Sequence, residues 1–227
     1  MIKAVLFDLD NTLVDFMRMK RASVEAAVEA MINAGLRMSK RVATLRLFKV
    51  YWRVGIEHPQ IFQEFLKNVN HHVDDRIVAA GIVAYRKAQT AFLRPYPGMT
   101  SVLHQLKTRG LKLAIVSDAP RLKAWMRLTE LGLQDMFDAV VAYDDTGERK
   151  PSTLPFAKAL DQLNVRPVEV IHVGDWPERD VIGAKKLGIR AAWARYGWDP
   201  AKPKPRTHGA DFVIDKPIDI LRLVGKA

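Results

Sequence analysis

Two carboxylates, Asp8 and Asp10, directly follow an apolar run that spans residues 2–7. Side chains at positions i and i+2 of an extended backbone project to the same side, so these two lie roughly 6–7 Å apart along the chain. Carboxylates this close repel each other unless a cation or a shared proton relieves them. Hard divalent cations such as Mg²⁺ take carboxylate and carbonyl oxygens as ligands. The pair therefore indicates a divalent-cation site at the end of a buried strand.

Four further polar side chains follow or precede other strand patterns. Ser117 follows a second apolar run, Asp175 and Asp180 follow a third, and Lys150 opens the segment between these two runs. In open parallel sheets, ligands bind beyond the carboxyl ends of the strands, so these groups are expected at one edge. Carboxylates, a hydroxyl, an ammonium and a cation are what phosphoryl transfer needs, since it depends on positioning and charge neutralisation.

The elements that must position these groups alternate between strand and helix patterns after residue 96. Short apolar runs predict strands, and apolar residues at helical spacing predict helices, several of which end at glycine. Strands are predicted at 3–7, 112–116, 139–142, 170–173, 190–194 and 212–214, and helices at about 99–109, up to 132, at 155–164 and at 180–187. This alternation predicts an α/β fold, a Rossmann-like doubly wound parallel sheet. The proline-rich stretch 200–205 predicts a surface loop.

Residues 16–95 show helical patterns without a strand pattern and predict an inserted all-helical domain. Pro59 is expected to open its third helix and Asp74 to cap its fourth. A stretch rich in proline and glycine ends the insert. The predicted organisation is an α/β core of residues 1–15 and 96–227 with a helical cap of residues 16–95.

The order of these motifs resembles the haloacid-dehalogenase-like hydrolase superfamily, in the subfamily I branch with a helical cap after the first strand. Four motifs match in order: Asp8-x-Asp10-x-Thr12-Leu13, the apolar run ending in Ser117, Lys150-Pro151, and Gly174-Asp175-x-x-x-x-Asp180. Tyr96-Pro97-Gly98 at the return from the cap agrees, and the match covers essentially the whole chain.

The resemblance implies a role for each matched residue. Asp8 would be the nucleophile that forms an aspartyl-phosphate, and Asp10 would be the general acid and base. Relatives hold Mg²⁺ through the Asp8 carboxylate, the Asp10 backbone carbonyl and Asp175, with Asp180 supporting the ion directly or through water. The cation would neutralise charge on Asp8 and on the phosphate, so that these two anions can approach each other.

Further residues are expected to contact substrate. The resemblance implies that Ser117 and Lys150 bind the phosphoryl group and that Thr12 braces the loop. Asp118 stands where many relatives carry Asn, and an acid there opposes anion binding unless it points away or contacts the substrate. Ser117 and Asp180 could instead be helix caps. We also expect His172 to be a packed core residue, because it lies inside an apolar strand.

The cap is expected to supply specificity. Arg18, Lys20 and Arg21 follow the catalytic loop closely, so they are predicted to reach the remote end of the substrate. The chain has a net charge of +11, and 14 basic against 7 acidic residues lie between positions 15 and 95. Such a positive field attracts anions such as phosphorylated metabolites.

The predicted function is a Mg²⁺-dependent phosphatase for a small phosphorylated metabolite. A phosphomutase uses the same residues and stays open as an alternative. A haloacid dehalogenase needs no metal and no acid, and the resemblance implies that dehalogenases lack the counterparts of Asp10 and Asp175. The basic insert raises a third alternative, a nucleic-acid-binding or regulatory protein with vestigial catalytic residues, but no nucleic-acid-binding motif supports it.

Composition limits the remaining classes. The chain has 227 residues, 48% of them hydrophobic, and no cysteine, which excludes disulfides, thiolate zinc sites and cysteine nucleophiles. No apolar run approaches the ~20 residues that cross a bilayer, so no membrane association is expected. The N-terminal residues form a strand pattern rather than a secretion signal, and we expect a cytoplasmic enzyme. A homodimer through core or cap stays open.

Overall fold

A computed structural model describes residues 1–199, 205 and 208–225. Strands are found at β1 Ala4–Phe7, β2 Lys112–Val116, β3 Ala139–Val141, β4 Val170–Gly174, β5 Arg190–Ala194 and β6 Phe212–Ile214. Helices are found at α1 Phe16–Asn33, α2 Lys40–Val54, α3 Ile61–Asn70, α4 Asp75–Phe92, α5 Met99–Thr108, α6 Arg121–Glu130, α7 Tyr143–Thr146, α8 Leu154–Leu163, α9 Asp180–Lys186 and α10 Ile220–Leu223. Three 3₁₀ turns span Pro167–Glu169, Arg195–Gly197 and Pro217–Asp219.

Within the described residues, the strands form one parallel sheet in the order β3-β2-β1-β4-β5-β6. Every residue of β1 is completely buried, as expected for a central strand covered on both faces. β1 pairs with β2 on one side and β4 on the other. Their carboxyl ends therefore adjoin, which places the residues after these strands at one edge. The predicted Rossmann-like fold is confirmed.

The chain divides into two compact units, one of Met1–Phe16 with Arg94–Ala227 and one of Met17–Leu93. The first contains the sheet and a core cluster in which Leu6, Val116 and Phe156 pack. The second has its own core, which includes Val28, Leu47 and Phe65. That the helical unit acts as a cap stays a prediction.

Local patterns predicted most helix and strand bounds to within two residues. Asp74 caps α4, because its side chain accepts hydrogen bonds from Arg76 N and Ile77 N. The prediction that Pro59 opens α3 was wrong, since the helix begins at Ile61. The sequence did not reveal α7, α10 or the 3₁₀ turns, because elements of three or four residues carry no periodicity.

The surface loop predicted for residues 200–205 lies outside the described residues, apart from Pro205. Among the described helices, none combines the length and apolar character that crossing a membrane requires.

Candidate active site

The loop after β1 is a tight turn that fixes the direction of the Asp8 side chain. Asp8 N donates to Val173 O at 2.9 Å, which ties the strand end to β4. Asn11 adopts the left-handed conformation (φ 62°), which asparagine tolerates better than most residues. Leu13 N donates to Leu9 O at 3.0 Å and closes the turn. The backbone of the turn that contains Asp8 and Asp10 is therefore held by hydrogen bonds on both sides of Asp10.

Asp8 is buried and accepts hydrogen bonds on both carboxylate oxygens. Lys150 Nζ donates to Oδ1 at 2.5 Å, and Thr12 Oγ1 donates to Oδ2 at 3.4 Å. Burial raises the pKa of Asp8 to about 7, although the Lys150 charge opposes the shift. The Asp180 charge adds to it. A further cation beside this carboxylate would favour its ionised, nucleophilic form.

Lys150 joins the carboxylates of Asp8 and Asp180, which lie 172 positions apart in the sequence. Its ammonium lies 2.5 Å from Asp8 Oδ1 and 2.6 Å from Asp180 Oδ1. Burial alone would lower the pKa of Lys150, but the charges of Asp180 and Asp8 raise it, so the ammonium stays protonated. Lys150 therefore carries a fixed positive charge next to the predicted nucleophile.

Asp180 is a buried carboxylate with several polar partners. Besides Lys150, it accepts from Trp176 N at 2.9 Å and lies 3.2 Å from His172 Nε2. Desolvation opposes ionisation of Asp180, but the Lys150 charge and the hydrogen bond from His172 lower its pKa overall. Gly174 makes this approach possible, since a Cβ there would lie 2.2 Å from Asp180 Cγ. Asp180 is the first residue of α9 and not its N-cap.

His172 is buried, as predicted, and packs edge-on against the Phe156 ring at 4.9 Å. Its contact with Asp180 was not foreseen. Burial lowers the pKa of His172, which favours the neutral ring. The sequence held one usable signal, namely a polar residue two positions before Gly174 in an otherwise apolar strand.

Three buried carboxylates form a cluster that suits a divalent cation. Asp8, Asp175 and Asp180 each offer an oxygen, and these atoms lie within 4.8 Å of one another. Trp193 Nε1 donates to Asp175 O at 3.0 Å and fixes the backbone there. Lys150 brings one ammonium group to Asp8 and Asp180 of this buried cluster. Clustered carboxylate oxygens are the donors that a hard cation such as Mg²⁺ prefers.

Ser117 and Asp118 lie at the end of β2 next to this cluster. Ser117 is buried, and its Oγ accepts from Ala119 N at 3.2 Å. It is not the N-cap of α6, a position held by Pro120. Asp118 Oδ1 accepts from Lys150 N at 2.9 Å, and Oδ2 pairs with Arg179 Nη1 at 3.1 Å. Asp118 thus holds the Lys150 backbone, and its contact with substrate stays a prediction.

Two contacts to the catalytic loop were not predicted. Arg127 on α6 is buried, and its Nη1 lies 3.0 Å from Asp10 Oδ2. Tyr196 OH donates to Thr12 O at 2.9 Å, and the neighbouring Gly197 lies so close that a Cβ would be 1.6 Å from Asn11 O. Both contacts come from distant segments with no motif. Local sequence patterns could not reveal them.

The three residues that are predicted to determine specificity differ from one another in how exposed they are. Lys20 is buried within that unit, where its ammonium donates to Ile56 O at 2.8 Å and Tyr85 OH at 2.9 Å. The same ammonium lies 4.0 Å from the centre of the Tyr51 ring. Arg18 is exposed and Arg21 is partly buried. Contact of these three side chains with substrate stays a prediction.

Comparison with known proteins places this arrangement among phosphatases. The family model described as haloacid dehalogenase-like hydrolase matches residues 5–194. A glyceraldehyde 3-phosphate phosphatase of Methanopyrus kandleri is 34% identical over 227 residues, covering 99% of this chain and 97% of the relative. A phosphoglycolate phosphatase of Neisseria meningitidis is 29% identical over 201 residues, covering 87% and 82%.

A solved structure, a HAD phosphatase from Thermococcus onnurineus, superposes with a TM-score of 0.72 at 26% identity. The alignment covers 99% of this chain and 98% of that one. This chain is therefore similar to that phosphatase in sequence and in fold over nearly its whole length.

Proposed function

Because the chain belongs to the haloacid dehalogenase-like hydrolase family, we propose that it is a Mg²⁺-dependent phosphatase acting through an aspartyl-phosphate on Asp8. The observation that carries the proposal is the position of Lys150. Its ammonium bridges Asp8 and Asp180 at 2.5 and 2.6 Å, inside the carboxylate cluster that also contains Asp175. This arrangement brings together a nucleophile, a fixed cation and a set of metal ligands.

In the first half-reaction, a carboxylate oxygen of Asp8 forms a bond to phosphorus as the bond from phosphorus to the leaving oxygen breaks. Asp10 donates a proton to that oxygen, so the product leaves as an alcohol. Lys150 and the Ser117 hydroxyl bind phosphoryl oxygens as negative charge builds up. The hydrogen bond from Thr12 Oγ1 to Asp8 Oδ2 holds the other carboxylate oxygen in place.

In the second half-reaction, Asp10 removes a proton from water as the water oxygen attacks phosphorus. The bond between phosphorus and Asp8 breaks, which releases inorganic phosphate and restores the carboxylate. Mg²⁺ would be held by Asp8, the Asp10 carbonyl, Asp175 and Asp180, and when bound it neutralises charge on the phosphoryl group and on Asp8.

The substrate is a small phosphomonoester. The named relatives act on glyceraldehyde 3-phosphate and phosphoglycolate, which carry three and two carbon atoms. We infer a substrate of the same size class, with Arg18, Lys20 and Arg21 as candidates for recognising its remote end. A cytoplasmic location also belongs to this proposal, and a homodimer stays open.

Phosphate release from purified protein tests the proposal. The panel contains glyceraldehyde 3-phosphate, phosphoglycolate and glucose 1-phosphate, each with Mg²⁺ and with EDTA. We expect Mg²⁺-dependent hydrolysis, its near-complete loss in Asp8→Asn, and its retention in Asp161→Asn, which changes an exposed carboxyl on α8. No hydrolysis of any phosphomonoester would overturn the proposal.

The same assay separates the alternatives. A phosphomutase would convert glucose 1-phosphate into an isomeric sugar phosphate without net phosphate release. A dehalogenase would release halide from a 2-haloacid in the presence of EDTA. Either result would replace the proposed activity.

A further inference from the structure

Arg127 is a buried cation whose charge meets the predicted general acid. It lies on the inner face of α6 between the buried residues Ala124 and Leu128, and it is 4% exposed. Its Nη1 lies 3.0 Å from Asp10 Oδ2. The guanidinium also lies over the Phe16 ring, with Cζ 4.6 Å from the ring centre. Arg127 therefore contacts both ends of the segment that carries the catalytic turn.

The burial of this side chain needs a specific reason. A guanidinium cannot lose its proton inside a protein, so its charge must be balanced where it lies. The desolvation cost of a buried ion pair often exceeds the Coulombic gain, and an apolar residue of similar volume commonly serves stability as well or better. Stability alone therefore does not explain arginine at this position of an apolar helix face.

The two side chains of the ion pair differ in exposure, and the more exposed one is the predicted general acid. The side chain of Arg127 is 5% exposed, whereas that of Asp10 is 24% exposed. The guanidinium therefore approaches the carboxylate from the protein interior, and the accessible part of Asp10 remains on the open side. Stacking on Phe16 restricts rotation of the planar guanidinium, which in turn restricts the carboxylate that it binds.

We propose that Arg127 is the positioning residue for Asp10, holding its carboxyl group where it can transfer a proton to or from the reacting oxygen. The inference rests on the proposed function, because it concerns the acid of the same reaction. Arg127 does not touch the phosphoryl group in this role and acts only through Asp10. A nearby cation also favours the ionised form of a carboxyl group, so the role of Arg127 in the acid step is to position Asp10 and not to supply charge. Its removal should therefore impair proton transfer and leave nucleophilic attack by Asp8 intact.

The dependence of kcat/KM on the leaving group isolates this role. An alkyl phosphate needs a proton on its departing oxygen, whereas p-nitrophenolate leaves without one. We expect Arg127→Met to lower kcat/KM for the best alkyl substrate roughly 100-fold or more, the lower end of what a positioned acid contributes. The value for p-nitrophenyl phosphate should stay close to that of the wild type, and Arg127→Lys should recover part of the alkyl activity.

Two controls accompany this comparison. Lys123→Met removes a positive charge from the exposed face of the same helix and should leave both substrates unaffected. In an Asp10→Asn background, Arg127→Met should cause little further loss, because a residue that acts through Asp10 has nothing left to position.

Equal losses with alkyl and aryl substrates, or no loss with either, would overturn the inference. So would a full additional loss in the Asp10→Asn background. If Arg127→Met does not fold, the same substrate ratio measured on Arg127→Lys decides the question, and an unchanged ratio rejects the inference. Failure of the proposed function differs from all of these, because the wild-type protein would then hydrolyse neither substrate.

Discussion

At the residue scale, Asp118 adds a carboxylate beside a site that must bind an anion. Both of its oxygens have partners, Lys150 N at 2.9 Å and Arg179 Nη1 at 3.1 Å. The guanidinium of Arg179 also lies 4.0 Å from the centre of the Trp176 ring. The Asp118 carboxylate therefore binds neighbouring protein groups, above all the backbone that carries the Lys150 ammonium.

The two contacts of Asp118 can be separated by substitution. Asp118→Ala removes the acceptor for Lys150 N and should lower kcat roughly tenfold or more, since a hydrogen bond to a charged group contributes about 1.5–3 kcal/mol. Asp118→Asn keeps an oxygen acceptor and should retain most of the activity. Steady-state kinetics on the best substrate gives both values.

Arg179→Met is the matched control, because it removes the partly exposed ion pair with Asp118 and the contact with the Trp176 ring but keeps the hydrogen bond from Lys150 N. Such pairs contribute about 0–1 kcal/mol, so kcat should change little. Equal losses in Asp118→Asn and Asp118→Ala would contradict the role of the Lys150 hydrogen bond.

Sequence reasoning identified the site residues that carry a motif. Asp8, Lys150, Asp175 and Asp180 lie together as expected, because each occupies a fixed position relative to a strand end or helix start. Arg127 has no such local signature. It lies on a helix with ordinary amphipathic spacing, and its importance follows only from the fold that brings it to Asp10.

At the element scale, the 3₁₀ turn Arg195–Gly197 after β5 supports the catalytic turn after β1. Tyr196 OH donates to Thr12 O, and a Cβ on Gly197 would lie 1.6 Å from Asn11 O. Burial raises the pKa of Tyr196 well above its ordinary value, so the phenol remains a donor. The two backbones are therefore in direct contact.

Gly197→Ala should displace the catalytic turn, because the new methyl group meets backbone rather than a flexible side chain. A shift of about 1 Å at a reacting group can cost roughly 100-fold in rate, and we expect kcat to fall by that order. Kinetics and a thermal unfolding curve measure the effect.

Gly132→Ala is the control for this substitution. Gly132 also has a positive φ of 65°, but nothing lies within 4 Å of its Cβ position. This variant should lose some stability from backbone strain and keep its kcat. Normal activity in Gly197→Ala would show that the turn tolerates the displacement.

The amino ends of three strands are held by carboxylates. Asp138 accepts from Leu113 N and Asp211 accepts from Ala191 N, each at 2.8 Å. Glu169 precedes β4 and pairs with Arg166 at 3.1 Å and Lys3 at 2.7 Å. The hydrogen bond from Arg166, followed by that from Lys3, lowers the pKa of Glu169 below its ordinary value of 4.5.

A lowered carboxyl pKa stabilises the folded state at neutral pH. The stabilisation is complete above the unfolded pKa of 4.5 and is lost as the pH falls through the lower folded value. Glu169→Gln should therefore be less stable than the wild type at pH 7, and the difference should shrink below pH 4.5. Urea denaturation at several pH values measures this, with Glu130→Gln as an exposed control. A difference that stays constant down to pH 3 would contradict the assignment.

Most strands were predictable because short continuous apolar runs are typical of strands that are covered on both faces in a parallel sheet. The bounds of β5 and β6 agree with prediction, and those of β1, β3 and β4 differ by one residue. The 3₁₀ turn that supports the active site was not predictable. Its sequence, Arg195-Tyr196-Gly197, resembles that of many loops. Only the folded structure shows its contact with Asn11.

At the scale of the whole molecule, two units with separate cores are encoded in one chain. The sheet unit is interrupted after Phe16 and resumes at Arg94. Its cluster of Asp8, Asp175 and Asp180 joins β1 to residues about 170 positions later. A cation bound there would stabilise contacts between segments that the chain itself leaves far apart.

Metal binding should therefore be measurable as stability, independently of turnover. A ligand that binds only the folded state stabilises it by about 2.7 kcal/mol at 100 times its Kd. For a protein of this size, 1 kcal/mol corresponds to about 2–4 °C in Tm. Saturating Mg²⁺ should thus raise Tm by several degrees in the absence of substrate, as measured by calorimetry or dye binding.

Asp175→Asn tests whether the rise in Tm comes from the carboxylate cluster. The variant removes one of three buried negative charges, so its metal-free form should be at least as stable as the wild type, and Mg²⁺ should no longer raise its Tm. Asp161→Asn, on the exposed face of α8, should keep the full response. Because this readout needs no substrate, it separates a missing cation site from a wrongly assigned substrate. An undiminished response in Asp175→Asn would place the cation elsewhere.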